Sequence, residues 1–321
     1  MLLFTRHQLL TRWYEQHARI LPWRETRQPY PIWVSEIMLQ QTQVKTVLPR
    51  FVDWLTQFPT ITTVAQATED QIMKAWEGLG YYRRARLLHQ SAQHLEQHYQ
   101  SIFPSNFDDI LSLPGIGRST AGAIASFCFE QYTPVLDGNV KRVLRRWYGE
   151  ENCAEKVLWQ RAQQAIDIAV MPSLWNQAMM ELGATLCKPR NPLCNQCPIQ
   201  AHCDNAFQDS VQKKSKNCAT IKNVYWQVHL YHDEHLGLWL HQRPRNGIWG
   251  ALWSPPITEL QEEPAVQPDH IHLLTHRRLH LYAAHHPSKT QPTHGSGTWQ
   301  KEWHTLALPT GIRQLFQKLN M

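Results

Sequence analysis

The chain has 321 residues, of which 32 are Lys or Arg and 26 are Asp or Glu, so its formal net charge is +6. Its length predicts two or three domains, and its positive charge favours an anionic partner, whether DNA, RNA or an acidic membrane surface. Arg6 and Arg12 interrupt the apolar N-terminus, which excludes an ordinary signal peptide, and no apolar run reaches the roughly 18 residues that cross a bilayer. We therefore expect a cytoplasmic protein without a membrane partner, in which clustered cysteines indicate metal binding rather than disulfides.

Apolar residues at helical spacing run from the N-terminus to about Phe207, which predicts a mainly α first part. Breaks in the helices are expected at prolines and glycines: Pro49, Pro59, Gly78-Leu79-Gly80 and Pro104. One helix is predicted from Ile32 to Leu48, because a proline stands at each side of it. A second pair of helices is predicted around residues 113–117, the first capped by Ser105 or Asn106 and the second running from Arg118 to Phe129.

The composition changes at residues 209–222, which are polar, basic and poor in large apolar side chains, as in an exposed linker. Beyond them apolar residues alternate with a period of two, so short strands are predicted at 225–230, 236–240, 271–274 and 279–282. Thr310 is the expected N-cap of a final helix. Residues 223–321 are therefore predicted to form a smaller α+β domain.

Four cysteines lie close together near the end of the helical part, namely Cys187, Cys194, Cys197 and Cys203. Their spacing is C-x6-C-x2-C-x5-C, and prolines stiffen the turns between them. Four thiolates from so short a loop can hold either a tetrahedral zinc ion or an iron-sulfur cluster. The residues alone leave both metals open, and reduced cysteines without a metal are the third alternative.

The sequence Leu-Pro-Gly-Ile-Gly at 113–117 is typical of a helix-hairpin-helix motif. Gly115 and Gly117 allow a tight turn that exposes amide groups at the start of the next helix, where a DNA phosphate can bind. A plain turn between two helices is the alternative. The proline before the turn, the Arg118-Ser119-Thr120 sequence after it and the basic excess favour phosphate binding.

Two carboxylates have contrasting sequence environments. Glu36 lies between apolar and aromatic residues of a predicted helix, where burial would raise its pKa toward that of a general acid. Asp137 stands at a predicted helix start, where an ordinary N-cap is the simpler interpretation. Neither residue alone indicates catalysis, but together they match the pair of carboxyl groups that breaks a glycosidic bond.

These residues resemble the helix-hairpin-helix DNA glycosylase superfamily, and within it the adenine DNA glycosylases of the MutY family. The similarity covers nearly the whole chain, in blocks at residues 22–24, 33–44, 78–86, 113–122, 136–143 and 176–184. It implies a six-helix barrel with the hairpin at 28–132 and an iron-sulfur cluster domain formed by 1–27 and 133–208. It also implies a linker at 209–222 and a Nudix-like domain at 223–321.

The resemblance implies roles for single residues. Glu36 would protonate adenine and later help to activate water, and Asp137 would stabilise the sugar cation or a covalent intermediate. The residues expected to line the adenine pocket or contact the opened duplex are Trp23, Arg24, Gln41, Tyr81, Asn139 and Glu181. The four cysteines would hold a 4Fe-4S cluster. Thr275 and His276 would read 8-oxoguanine, although the preceding Leu274 departs from the aromatic residue of the family.

Ser119 stands where endonuclease III-like relatives have a lysine whose amine forms a Schiff base with the sugar. A hydroxyl cannot form that imine. The resemblance therefore implies a monomeric, monofunctional glycosylase that removes adenine opposite 8-oxoguanine or guanine in double-stranded DNA. Two alternatives stay open: an endonuclease III-like bifunctional glycosylase/lyase, and a non-catalytic iron-sulfur protein that binds DNA.

Overall fold

The computed structural model describes residues 2–150, 152–207, 221–287 and 297–321. It divides into two compact units, one made of Met1–Ala65 and Gln90–Lys213, the other of Gln66–His89 and Lys214–Met321. Most of the predicted linker, residues 209–220, and Cys218 lie outside the described residues. The domain boundaries expected from the sequence stay a prediction.

The chain is helical as far as the four-cysteine loop, in agreement with the apolar spacing. The α-helices are α1 (Leu2–His17), α2 (Pro29–Leu39), α3 (Val44–Gln57), α4 (Ile61–Gln66), α5 (Glu69–Ala75), α6 (Arg83–Tyr99), α7 (Phe107–Ser112), α8 (Arg118–Phe129), α9 (Gly138–Trp147), α10 (Glu155–Ile166) and α11 (Pro172–Thr185). Short 3-10 turns lie at Pro22–Arg24, Cys194–Gln196 and Gln200–His202. In the described part of the chain, no helix is long and apolar enough to cross a membrane.

Two helix predictions are wrong and two are confirmed. The single helix from Ile32 to Leu48 is in fact α2 and α3, because the backbone leaves the helix at Gln40 and Gln41 has a positive φ of 56°. Apolar residues keep helical spacing across this turn, so the pattern hides the break. Pro49 does not break α3, since buried side chains before and after it hold the helix in place. The helix from Arg118 to Phe129 and the Asn106 cap of α7 are both as predicted.

Helix α11 organises the first unit, because it packs against α1, α8, α9 and α10. Its Asn176 is 3% exposed and accepts a hydrogen bond from the Val135 amide at 3.1 Å. The same side chain donates to the Thr133 carbonyl and to Ser126 Oγ, both at 2.9 Å. Asn176 thus fixes the extended segment that leads from α8 to α9.

A second contact holds the end of that segment. Ser119 Oγ, on α8, accepts a hydrogen bond from the Leu136 amide at 3.1 Å. The segment also lies directly against Gly122, where any Cβ would collide with the Pro134 carbonyl. Asp137 follows at the start of α9, so its position depends on α8 and α11 together.

The second unit contains a seven-stranded sheet. Its strands are β1 (Lys222–Asp233), β2 (Gly237–Gln242), β3 (Trp253–Ser254), β4 (Ile257–Leu260), β5 (His270–Leu273), β6 (Arg277–His286) and β7 (Thr298–Gln300). The long β1 pairs in parallel with β6 along one edge and antiparallel with β4 and β2 along the other. The strand regions predicted from the period of two are confirmed, with ends that differ by a few residues.

A final helix, α12 (Thr310–Lys318), packs on this sheet through Ile312, Leu315 and Phe316. Thr310 was expected as its N-cap, and this is wrong, because Pro309 occupies the cap position and Thr310 is the first helical residue. Proline has no side-chain oxygen that could accept a hydrogen bond, so the helix begins without a side-chain cap. The α+β class of the C-terminal part is as predicted.

Replacing Asn176 by alanine should destabilise the folded protein by about 2–4 kcal/mol, because two buried groups and one partly buried group lose their hydrogen-bond partner. Urea unfolding of the cluster-loaded protein measures this. Thr56→Ala is the control, since its exposed hydroxyl bonds to the Val52 carbonyl of its own helix. Equal free energies of unfolding for the two variants would contradict the role given to Asn176.

Candidate active site

A cavity of about 900 Å³ opens in the helical unit. Among its lining residues are six that the sequence analysis singled out: Trp23, Arg24, Glu36, Asp137, Asn139 and Glu181. They come from the Pro22–Arg24 turn, α2, the start of α9, and α11. Residues more than 140 positions apart in the sequence thus meet in one cavity.

Glu36 lies on α2 between residues of the core. Trp33, Val34 and Ile37 on the same helix are all at most 2% exposed. Burial raises the pKa of Glu36 to about 8, the negative charge of Asp137 acts in the same direction, and Arg24 opposes both. The side chain therefore holds its proton near neutral pH and can donate it.

Asp137 is the N-cap of α9, and its side chain is held by two donors. Oδ1 accepts a hydrogen bond from the Val140 amide at 2.7 Å, and Oδ2 accepts one from Asn139 Nδ2 at 3.2 Å. The positive end of the helix dipole adds to this stabilisation of a negative charge. Cap and catalytic carboxylate are therefore compatible functions of the same side chain.

Glu181 on α11 is fully buried and bonds two arginines. Arg19 approaches at 2.7 Å and Arg24 at 2.8 Å. Burial alone would raise the pKa of Glu181, but the bonds and charges of the two guanidinium groups outweigh it and lower that pKa. Sequence reasoning missed Arg19, which lies in an irregular segment outside every motif; the buried glutamate was the only indication that a second cation was needed.

Two other predicted pocket residues lie outside this cavity. Gln41 is exposed in the turn between α2 and α3. Tyr81 belongs to the other compact unit, where it is 46% exposed. Trp23, by contrast, is 8% exposed and packs its ring edge-on against Phe51.

The predicted hairpin lies between α7 and α8. Gly115 has a positive φ of 80°, which favours glycine, and Gly117 is the N-cap of α8. Ser91 Oγ donates to the Pro114 carbonyl at 2.6 Å and holds the turn from the side of α6. The first amides of α8 are left without helical carbonyl partners, which is the geometry that binds a phosphate oxygen.

Arg142 on α9 connects the cavity with the cysteine loop. Its Nη2 donates to Asn139 Oδ1 at 2.9 Å and to the Gly183 carbonyl at 2.6 Å, and its Nε donates to the Cys187 carbonyl at 2.7 Å. Asn139 in turn donates to Asp137. A continuous chain of side chains therefore runs from the first cysteine of the loop to a carboxylate of the cavity.

The four cysteines line one small cavity. In the described ranges, no three His, Cys, Asp or Glu side chains are placed to hold a single metal ion. Four thiolates can hold an iron-sulfur cluster. Arg146 donates to Cys187 Sγ at 3.3 Å, as suits a thiolate ligand. The donor set fits a cluster.

The C-terminal residues Thr275 and His276 lie in the turn between β5 and β6, and both side chains are exposed. Thr275 Oγ1 and the Tyr81 hydroxyl form a hydrogen bond of 2.6 Å. The backbone carbonyl of His276 accepts the Lys222 amide at 3.2 Å. The turn is thus tied both to the sheet and to a residue from the helical part of the sequence.

The hairpin, the cavity with two carboxyl groups and the four-cysteine loop are together typical of a helix-hairpin-helix DNA repair glycosylase with an iron-sulfur cluster. Residues 34–166 match the family model for the HhH-GPD superfamily base excision DNA repair protein, and residues 187–203 match the iron-sulfur binding domain of endonuclease III. The chain is 40% identical over 258 residues to the adenine DNA glycosylase of Buchnera aphidicola subsp. Baizongia pistaciae, which covers 78% of this chain and 73% of that protein. The chain belongs to the adenine DNA glycosylase family.

Solved structures agree with the fold of the helical unit. A thermostable thymine-DNA glycosylase shares 26% identity with a TM-score of 0.60, over 64% of this chain and 96% of that one. An endonuclease III in a non-covalent DNA complex has the same fold, with a TM-score of 0.55 and 19% identity over 64% of this chain and 96% of that one. The predicted fold class and the enzyme class are confirmed. The cofactor is a 4Fe-4S cluster, and Cys187, Cys194, Cys197 and Cys203 are the residues that would hold it.

The raised pKa of Glu36 predicts a pH-dependent stability. Between its usual pKa near 4.5 and about 8, the folded protein keeps a proton that the unfolded chain has lost, so stability decreases as pH rises. Glu36→Gln removes this penalty, so its stability relative to the wild type should be greater at pH 8 than at pH 5, by about 1–3 kcal/mol.

Urea unfolding at both pH values measures this difference. The matched control is Glu15→Gln, because Glu15 is exposed on α1. A stability difference between Glu36→Gln and the wild type that is the same at pH 5 and pH 8 would show that Glu36 has an ordinary pKa.

Proposed function

We propose that this adenine DNA glycosylase family member hydrolyses the N-glycosidic bond of adenine paired with 8-oxoguanine or guanine in double-stranded DNA. We further propose that it works as a monomer in the cytoplasm and does not cut the DNA strand. One observation carries the catalytic part: Glu36 and Asp137 open on the same cavity, the first half-buried with a raised pKa and the second held by hydrogen-bond donors. DNA is the partner of this family.

Glu36 is the general acid of the proposed reaction. Adenine must leave as a neutral base, so a proton has to reach a ring nitrogen as the bond between C1′ and N9 breaks. A carboxyl group with a pKa of about 8 is protonated at neutral pH and can donate to N7. The electrons of the C1′–N9 bond stay with the base, and positive charge develops on the sugar.

Asp137 stabilises that charge. Its carboxylate accepts hydrogen bonds from an α9 amide and from Asn139, so it is held in place to face the sugar cation or bond to C1′. Glu36, now deprotonated, takes a proton from water, and the hydroxide oxygen bonds to C1′. The products are free adenine and a sugar without a base, and both carboxyl groups return to their starting state.

The remaining cavity residues would hold the adenine. An adenine stacked inside the DNA duplex cannot reach Glu36, so it must first rotate out of the duplex. Trp23 gives the cavity an apolar wall, and the network of Glu181 with Arg19 and Arg24 supplies polar groups for the edge of the base. The α8 amides beyond Gly115 and Gly117 would bind a phosphate and fix the DNA backbone.

The catalytic proposal predicts that Glu36→Gln lowers adenine release at least about 100-fold, because an amide cannot donate the proton. Single-turnover assays on a duplex with adenine opposite 8-oxoguanine measure the rate. Glu15→Gln is the control and should match the wild type. Equal release by Glu36→Gln and wild type, or release by neither, would rule out this function.

Ser119 supports a monofunctional reaction. Its hydroxyl accepts the Leu136 amide, so it has a structural function and carries no amine. We expect that borohydride traps no efficient covalent adduct with DNA and that the strand stays intact after adenine release. Efficient trapping, together with β-elimination as fast as base release, would instead support the bifunctional glycosylase/lyase.

Recognition of the opposite base is assigned to Thr275 and His276, whose exposed side chains can bond to a lesion. Replacing both by alanine should reduce the preference for adenine opposite 8-oxoguanine over adenine opposite guanine by about three- to tenfold. The ratio of the two single-turnover rates measures this preference. His235→Ala, in the exposed turn after β1, is the control, and an unchanged ratio in the double variant would remove the assignment.

A further inference from the structure

The Gly78–Tyr82 turn has an unusual backbone. Gly78, Gly80 and Tyr81 have positive φ values of 90°, 68° and 48°. Glycine adopts this region freely, but tyrosine does so at a cost in free energy. Such a conformation persists only where surrounding contacts determine it.

Some of the contacts that hold this backbone conformation come from residues next to the turn. Trp76 Nε1 donates to the Gly80 carbonyl at 3.2 Å. Arg84 Nη2 donates to the carbonyls of Leu79 and Gly80 at 2.9 and 3.0 Å, and its guanidinium lies 5.8 Å from the centre of the Tyr81 ring. These bonds shape the turn, but they do not attach it to the sheet.

Asp70 and Arg86 bond to the C-terminal part at either side of the turn. Immediately before the turn, the attachment is an ion pair. Glu77 bonds to Arg313 of α12, and the two side chains are only 16% and 22% exposed. Arg313 also donates to the Leu306 carbonyl at 2.7 Å, which anchors it to the loop before α12. Lys74 reinforces the pair, since its Nζ lies 3.0 Å from Glu77 and 2.9 Å from the His304 carbonyl.

The other end of the turn meets the β5–β6 turn through the hydrogen bond between Tyr81 and Thr275. Tyr81 and Thr275 are separated by 194 positions in the sequence, yet both are exposed on the same compact unit. The unit therefore presents them to DNA as one surface, which exists only while residues 66–89 stay attached to the C-terminal sheet.

We propose that Glu77 and Arg313 are positioning residues for recognition of the base opposite the target adenine. Their ion pair holds the Gly78–Tyr82 turn so that Tyr81 and Thr275 face the lesion together. This inference rests on the proposed reading of 8-oxoguanine by the β5–β6 turn, and it assigns the recognition to a surface built from two distant parts of the chain. Neither residue touches the DNA in this role.

A second ion pair on the same segment offers a matched control. Glu69 lies 2.9 Å from Arg245, but the arginine side chain is 72% exposed, so water and salt screen the interaction. The ion pair of Glu77 with Arg313 is less exposed to solvent, so it should contribute more to the stability of the segment. Glu69→Gln removes an ion pair from the same segment, as Glu77→Gln does, but it leaves the Gly78–Tyr82 turn attached.

The experiment uses the full-length, cluster-loaded protein and compares Glu77→Gln, Arg313→Met, the double variant, Glu69→Gln and Thr275→Ala. Single-turnover rates are measured for adenine opposite 8-oxoguanine and opposite guanine. Their ratio should fall about fivefold in each single Glu77 or Arg313 variant, and the double variant should fall no further, because one lost partner already breaks the pair. Glu69→Gln should keep the wild-type ratio.

A purely structural effect would lower both rates together and leave the ratio unchanged. Hydrogen exchange of the amides at residues 78–82, measured without DNA, gives an independent result and should be faster in both single variants. Arg313→Lys should recover most of the ratio.

The inference is overturned if Glu77→Gln and Arg313→Met keep the wild-type ratio while Thr275→Ala lowers it. It is also overturned if Glu69→Gln lowers the ratio equally. If Thr275→Ala keeps the ratio of the two rates and the Glu77 variants lower it, the β5–β6 turn does not recognise 8-oxoguanine. The Gly78–Tyr82 turn with Tyr81 would then be responsible for the discrimination.

Discussion

Two carboxyl groups that open on one partly desolvated cavity cannot both ionise without a large cost in free energy. The structure removes this conflict by giving the negative charge to Asp137, which bonds to amide donors at the start of α9. Glu36 is left among apolar side chains and keeps its proton. The assignment of acid and anion therefore follows from the different surroundings of the two groups, with Glu36 among apolar residues within α2 and Asp137 at the start of α9.

The arginines near the cavity must leave the proton on Glu36. Arg24 favours ionisation of Glu36, and an unopposed second guanidinium would lower the pKa of Glu36 further. Glu181 carries a charge of opposite sign and bonds to both Arg19 and Arg24 while fully buried. A buried glutamate on α11 thus protects the proton on α2 through the arginines that it holds.

Local patterns in the sequence predicted a large part of this site. Apolar neighbours indicated a buried Glu36, a proline and glycine turn indicated the hairpin, and cysteine spacing limited the choice of cofactor. The break at Gln40 and Gln41 was missed because apolar spacing continues across it. The attachment of residues 66–89 to the C-terminal unit was also missed, since it depends on pairs such as Glu77 with Arg313 that are far apart in sequence and follow no period.

In the proposed reaction, Asp137 supports the fold and the chemistry with the same carboxylate. Asparagine caps a helix about as well as aspartate, so the substitution Asp137→Asn would keep α9 intact while removing the negative charge. Quality control in the cell recognises unfolded chains and degrades them, and it would leave such a protein in place at normal abundance. In the proposed reaction, such a protein would be folded but inactive. A defect at this one position is therefore invisible to any measurement of protein level.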